Sequence, residues 1–165
     1  MLDFSAGLLI ALFLILAAEF VNGWTDAPNA IATVVSTKTL SPRSAVLLAT
    51  TLNIAGAFYG KAVAATIGKN MVRSEAIDLI TVSAAMVAIV VWSVGAWYFE
   101  IPTSESHALI AGLSGAAMAA AGTSVLMWQG WSKTLMGLLF STVLGCFGGL
   151  TFAIVIQLFF ANLSP

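Results

Sequence analysis

The sequence predicts an all-α fold, a polytopic bundle of helices that cross a membrane. Hydrophobic residues make up 60% of the 165 residues and charged residues only 8%, whereas soluble domains carry roughly 25% charged residues. The mean hydropathy is +1.02. This small number of charged residues cannot cover a surface that faces water. We therefore expect a multi-pass protein of the cell membrane, surrounded by the lipid bilayer. The net charge of −1 argues against nucleic acid as a partner, because nucleic acids bind clustered Lys and Arg.

Apolar runs predict the helices, within a single transmembrane domain that covers residues 1–165. A spanning helix needs about 20 apolar residues, so the length allows roughly five membrane segments. We expect these segments near residues 4–35, 45–67, 79–99, 102–122 and 135–163.

The first segment contains a polar stretch from Asn22 to Asn29. Gly23 and Pro28 both disfavour a continuous helix, the proline because it lacks an N–H and clashes with the preceding turn. The pattern therefore predicts a broken helix, with the break at or near membrane depth. A carboxylate inside a bilayer persists mainly where it faces a cavity, an ion or a partner, so Asp26 is a candidate functional residue.

The fourth segment begins with a second polar stretch, from Pro102 to His107. The small residues that follow form a run too short to cross a bilayer comfortably, so we expect a re-entrant or half-membrane helix. Pro102 is suited to open this helix, with Ser104 and Ser106 near its first turn. Their hydroxyls could cap the helix, or they could donate to an anion together with the backbone amides. Glu105 is a candidate for the same reason as Asp26.

Broken helices leave backbone groups free to bind ions. The N–H groups at a half-helix start attract anions, and unwound carbonyls with nearby carboxylates attract a sodium ion or a proton. Asp26 and Asn29 are three residues apart and share one face if this stretch is helical. The two polar stretches together therefore predict a site for an anion and its counter-cation.

These stretches resemble the signatures of the inorganic phosphate transporter (Pit) family. Asp26–Ala30, with Thr33 a turn later, is similar to the D-x-x-N-A signature of that family. Pro102–Ile110 with Gly112 resembles its P-x-S-x-[ST]-H-x-x-x-G element. Thr51–Ala57 and the spacing between the motifs also look similar, so the resemblance covers nearly the whole chain.

The resemblance implies a secondary transporter, built from two inverted repeats, that carries phosphate by symport with sodium or protons. It implies that phosphate contacts Asp26, Asn29, Ser104, Glu105 and Ser106. It implies that a cation contacts Asn22, Asp26, Asn29 and Asn53, with Thr33 and His107 in support. Asn53 could instead only hold helices together. No cofactor or metal is expected, unless sodium is the coupling ion.

Glu105 departs from the family, which commonly has a hydroxyl or small residue there. A carboxylate at this position repels phosphate unless it is protonated or paired with a cation.

Each motif occurs once, so the chain resembles one repeat, the N-terminal one, of a two-repeat transporter. The second repeat could belong to a longer chain, to a partner half, or to a second copy inserted in the opposite orientation as an antiparallel homodimer.

Three other functions fit parts of the sequence. The chain could be half of a transporter for another oxyanion such as sulfate. It could be a non-transporting scaffold subunit, although that leaves the two polar stretches without a role. Gly112–Gly115 resembles the nucleophile segment of intramembrane serine proteases, but His107 lies about 10 Å from Ser114 along a helix. That distance is too long for a general base, so we expect no enzyme.

Overall fold

The computed structural model describes residues 5–59 and 70–160. The α-helices in these ranges are α1 (Ala6–Ser36), α2 (Pro42–Tyr59), α3 (Leu79–Tyr98), α4 (Glu105–Ala121) and α5 (Trp128–Phe160). Short 3-10 turns lie at Ser74–Ala76 and Thr123–Val125. Within the described ranges there is no β-strand, only an isolated bridge between Val72 and Leu126. The predicted all-α fold class is confirmed.

Three of the described helices, α1, α3 and α5, are long and apolar enough to cross a membrane. α4 is shorter, at 17 residues. The segment expected near 45–67 runs beyond Tyr59 into residues outside the described ranges, so the count of five membrane segments stays a prediction.

The chain divides into two compact units, Met1–Met127 and Trp128–Pro165. The second unit is essentially α5. This helix begins at Trp128, earlier than the expected start near residue 135. Residues 135–160 of the expected membrane segment lie within this helix, and a polar first turn precedes the apolar run.

The core of the first unit lies where α3 packs against α1 and α4. Its most buried residues are small or aliphatic, among them Ala85, Ile89 and Ala117. A Cβ atom added to Gly112 would lie 3.1 Å from Ile89 Cγ1 and 3.3 Å from the Ala85 carbonyl oxygen. The backbone of α4 therefore approaches α3 closely at Gly112, as small residues permit between membrane helices.

Asp78 fixes the start of α3. Its carboxylate accepts a hydrogen bond of 2.7 Å from the backbone N–H of Thr81, which satisfies one of the free donors at a helix N-terminus. This backbone hydrogen bond, which favours the ionised form, holds the pKa of Asp78 below its usual value.

The break predicted in the first segment is wrong. α1 continues without interruption from Ala6 to Ser36, with Pro28 inside it. Pro28 has no N–H for the carbonyl of Trp24 four residues earlier, but membrane helices tolerate such a loss when neighbouring helices and Ser or Thr side chains compensate. Here the packing of α1 along α3 supplies such support. The polar residues therefore project from an intact helix.

Candidate functional site

The two polar stretches of the sequence lie together in the first unit. The hydroxyl of Thr25 in α1 donates to Glu105 Oε1, the first residue of α4, at 3.3 Å. Glu105 is 9% exposed. A carboxylate in the first turn of a helix is also stabilised by the free N–H groups there. The start of α4 is thereby held against the polar turn of α1.

A cavity of about 310 Å³ lies beside this contact, which we call the α1–α3 cavity. Its walls are Thr25, Asp26 and Asn29 of α1, Ser93 and Trp97 of α3, and residues 100–103 of the loop before α4. The lining contains the carboxylates of Asp26 and Glu100 and no Lys, Arg or His. Oxygen-rich and negatively charged, this space suits a cation, or an anion that binds together with one.

A second cavity, of about 790 Å³, lies between α1 and α2, and we call it the α1–α2 cavity. Glu19, Asn22, Asp26 and Asn53 are among its lining residues. The structure thus brings together Asn22, Asp26 and Asn53, three of the four residues expected at a cation. The side-chain amide of Asn53 donates to the Ala49 carbonyl at 3.0 Å, so its amide oxygen is left to accept or to coordinate.

Asp26 and Asn29 share a face of α1, as their spacing predicts. The Asn29 side-chain amide donates to Asp26 Oδ1 at 3.4 Å, and both residues line the α1–α3 cavity. Asp26 also lines the α1–α2 cavity. The side chain of Asp26 therefore borders both spaces.

The predicted site residues of the second motif do not line the cavities. Ser104 precedes α4 in an extended conformation, and its side chain makes no capping hydrogen bond. The capping role considered for Ser104 is therefore not seen. Ser106 and His107 are exposed. Like Thr33, none of the four residues from Ser104 to His107 lines either cavity. Of the five residues expected at phosphate, the structure therefore brings only Asp26 and Asn29 to the α1–α3 cavity.

Sequence reasoning missed several residues that line the α1–α3 cavity: Thr25, Ser93, Trp97, Glu100 and Thr103. Thr25 and Thr103 adjoin the motifs, so proximity along the chain could have indicated them. Ser93 could have been noticed as a polar residue within an uncharged apolar segment. Trp97 packs against Trp24 with ring centroids 4.6 Å apart, a contact between helices that no local pattern reveals.

The hydrolase alternative finds no support at Ser114. This serine is 4% exposed, and its hydroxyl has no hydrogen-bond partner within residues 5–59 and 70–160. A serine nucleophile requires a base within hydrogen-bond reach. In the same ranges, no group of three or more His, Cys, Asp or Glu side chains could hold a metal ion.

Comparison with known proteins assigns the chain to a family. Residues 22–164 match the phosphate transporter family. The chain belongs to this family. Membership of the phosphate transporter family makes the chain a multi-pass membrane protein, in bacteria a plasma-membrane one, and not an enzyme. It also agrees with the resemblance seen in the two motifs.

Relatives within the phosphate transporter family are named probable low-affinity inorganic phosphate transporters. The chain is 40% identical over 149 residues to one from Bacillus subtilis, which covers 89% of this chain and 45% of the relative. It is 44% identical over 123 residues to one from Mycobacterium tuberculosis (74% of this chain, 30% of the relative). It is 40% identical over 153 residues to one from Streptomyces halstedii (91% and 71%).

The chain spans about half the length of the first of these relatives. No solved structure matches the chain.

Proposed function

We propose that this chain supplies half of the translocation site of a cation-coupled transporter of inorganic phosphate. The observation that carries the proposal is the α1–α3 cavity, where Asp26 and Asn29 of the first motif face Thr103 of the second. The names of the relatives support phosphate as the substrate.

The charges around the cavity support coupling to a cation. Phosphate is an anion, and the carboxylates of Asp26 and Glu100 repel it across a small space. In a low-dielectric interior, such repulsion is much stronger than in water. A bound sodium ion or proton offsets it, so phosphate and cation occupy the site together.

The start of α4 supplies donors for phosphate in this proposal. The Ser104 hydroxyl is free of the helix cap, and the first N–H groups of α4 have no partner within the helix. Such groups bind phosphate oxygens at helix starts. The Glu105 carboxylate accepts from the Thr25 hydroxyl but keeps its charge, so the bound cation has to offset this charge as well.

A second repeat completes the site. It comes from a longer chain, from a partner half, or from an antiparallel second copy, and it faces the same substrate across a pseudo-symmetry axis. Transport then proceeds by alternating access, in which one repeat rocks against the other around a site near the middle of the membrane.

The test is uptake of radiolabelled phosphate by proteoliposomes that contain this chain together with its second repeat. We expect uptake to rise when a sodium or a proton gradient is imposed and to fall when an ionophore collapses that gradient. Excess unlabelled sulfate should compete weakly. Strong competition by sulfate would indicate another oxyanion as substrate, and absence of uptake under every gradient would favour a scaffold role.

A further inference from the structure

Ser93 is a buried hydroxyl without a partner. It lies in α3 and is 1% exposed, and its Oγ has no hydrogen-bond partner in the described part of the chain. A serine inside a helix commonly donates to the carbonyl four residues earlier, as Ser83 of the same helix does to Leu79 at 2.7 Å. Buried polar groups are nearly always paired, so an unpaired one calls for an unseen partner such as an ion or a ligand.

The position of Ser93 indicates what that partner is. Ser93 lines the α1–α3 cavity, where the surrounding polar groups are carboxylates, hydroxyls and an amide. Two of them, Asp26 and Glu100, bring negative charge, and no lining residue brings positive charge. Hard oxygen ligands around negative charge select a hard cation over a soft metal.

The two carboxylates of the lining favour a singly charged cation over Ca²⁺. Protein sites for Ca²⁺ gather six to eight oxygen ligands, several of them from carboxylates. Within residues 5–59 and 70–160, no group of three or more acidic, His or Cys side chains forms such a site. A proton would reside on Asp26 or Glu100 itself and would leave the Ser93 hydroxyl unpaired.

We propose that Ser93 is a ligand of a sodium ion bound in the α1–α3 cavity beside Asp26. A lone pair of the Ser93 hydroxyl coordinates the ion, and the carboxylate of Asp26 balances its charge. This inference rests on the proposed function and deepens it, because it names sodium rather than a proton as the coupling ion and adds a ligand outside both sequence motifs.

The experiment measures sodium binding and sodium dependence in the complete transporter, that is, this chain with its second repeat. Binding of ²²Na⁺ is measured on purified protein, and phosphate uptake is measured against sodium concentration in proteoliposomes. For Ser93→Ala we expect the half-saturating sodium concentration to rise about tenfold or more, as for loss of a hydrogen-bond partner of a charged group. The half-saturating phosphate concentration at saturating sodium should stay the same.

Ser114→Ala is the matched control. Ser114 is also buried and unpaired, but it does not line the α1–α3 cavity, so its sodium dependence should equal that of the wild type. Ser93→Cys is a second variant, which keeps nearly the volume of serine but replaces the hard oxygen with sulfur. We expect Ser93→Cys to lose sodium affinity as Ser93→Ala does. If the alanine variant fails to insert into the membrane, the cysteine variant tests the inference in its place.

Two results would overturn the inference. One is a wild-type sodium dependence in Ser93→Ala and Ser93→Cys. The other is phosphate uptake by the wild type that responds only to a proton gradient, with no ²²Na⁺ bound, which would leave the proposed transport of phosphate intact. Failure of the wild type to take up phosphate at all would instead count against the proposed function, while ²²Na⁺ binding that is weakened by Ser93→Ala would still support the ligand.

Discussion

The Thr25 hydroxyl lies 3.3 Å from the Glu105 carboxylate, across 80 residues of sequence. The same hydroxyl lies 3.0 Å from the Val21 carbonyl. Since a threonine carries a single hydroxyl hydrogen, these two acceptors share it with the Asn22 carbonyl at 3.4 Å. The bond that joins α1 to α4 is therefore weaker than an unshared one, and it links the first residue of α4 to α1.

Thr25→Val removes the hydroxyl and keeps the shape of the side chain. We expect it to lower the thermal stability of the purified protein, with a loss of about 1 kcal/mol for one hydrogen bond. A double-mutant cycle with Glu105→Ala isolates the contact, and a coupling energy of about 0.5–1.5 kcal/mol is expected. Additive effects of the two substitutions would show that the contact contributes nothing.

Asp26→Asn removes the charge that borders both cavities. We expect cation-driven phosphate uptake to be abolished while the protein still inserts and purifies normally, because asparagine has nearly the same size. Uptake in proteoliposomes is the measurement. Asp78→Asn serves as the control, since Asp78 caps α3 away from both cavities, and uptake by this variant should stay normal. Normal uptake by Asp26→Asn would contradict the site.

Ser104→Ala separates substrate binding from helix capping. Since the Ser104 side chain makes no capping hydrogen bond, we expect no loss of thermal stability, and we expect the half-saturating phosphate concentration to rise about tenfold. Asp78→Ala, which does remove a cap, should lower the melting temperature. If Ser104→Ala were to lower it equally and leave phosphate affinity intact, Ser104 would be a cap and nothing more.

Gly112→Ala tests the close approach of α3 and α4. The added methyl group would lie 3.3 Å from the Ala85 carbonyl oxygen, and a backbone atom in a packed helix cannot easily move away. We expect a loss of about 1–3 kcal/mol, typical of overpacking, measured as a lower melting temperature in detergent. Gly115→Ala lies in the same helix with nothing within 4 Å of the new methyl group. It should be neutral or stabilising, since alanine favours helix; a drop equal to that of Gly112→Ala would contradict the packing argument.

The sequence alone was enough to predict the fold class and to predict that the two polar stretches lie together. Composition alone required membrane helices, and the scarcity of carboxylates made Asp26 and Glu105 conspicuous. The pairing of Asp26 with Asn29 followed from helical spacing. The roles of these residues at phosphate or a cation stay predictions.

Other features depend on contacts between distant segments. Pro28 disfavours a helix as an isolated residue, but α1 runs through it where it packs along α3. The site residue Ser93 carries no motif, and its lack of a hydrogen-bond partner is visible only once α1 and α4 are packed against α3. Local propensity is a weak guide where tertiary packing decides.

The place of Asp26 on the wall between two spaces has a thermodynamic consequence. A ligand that neutralises this carboxylate from one cavity changes the electrostatic energy of a ligand in the other cavity. An anion there is repelled less, and a cation there is attracted less. Linkage then requires that each occupant alter the affinity of the other by the same factor. One shared side chain can therefore make two spaces respond to each other without any movement of the helices.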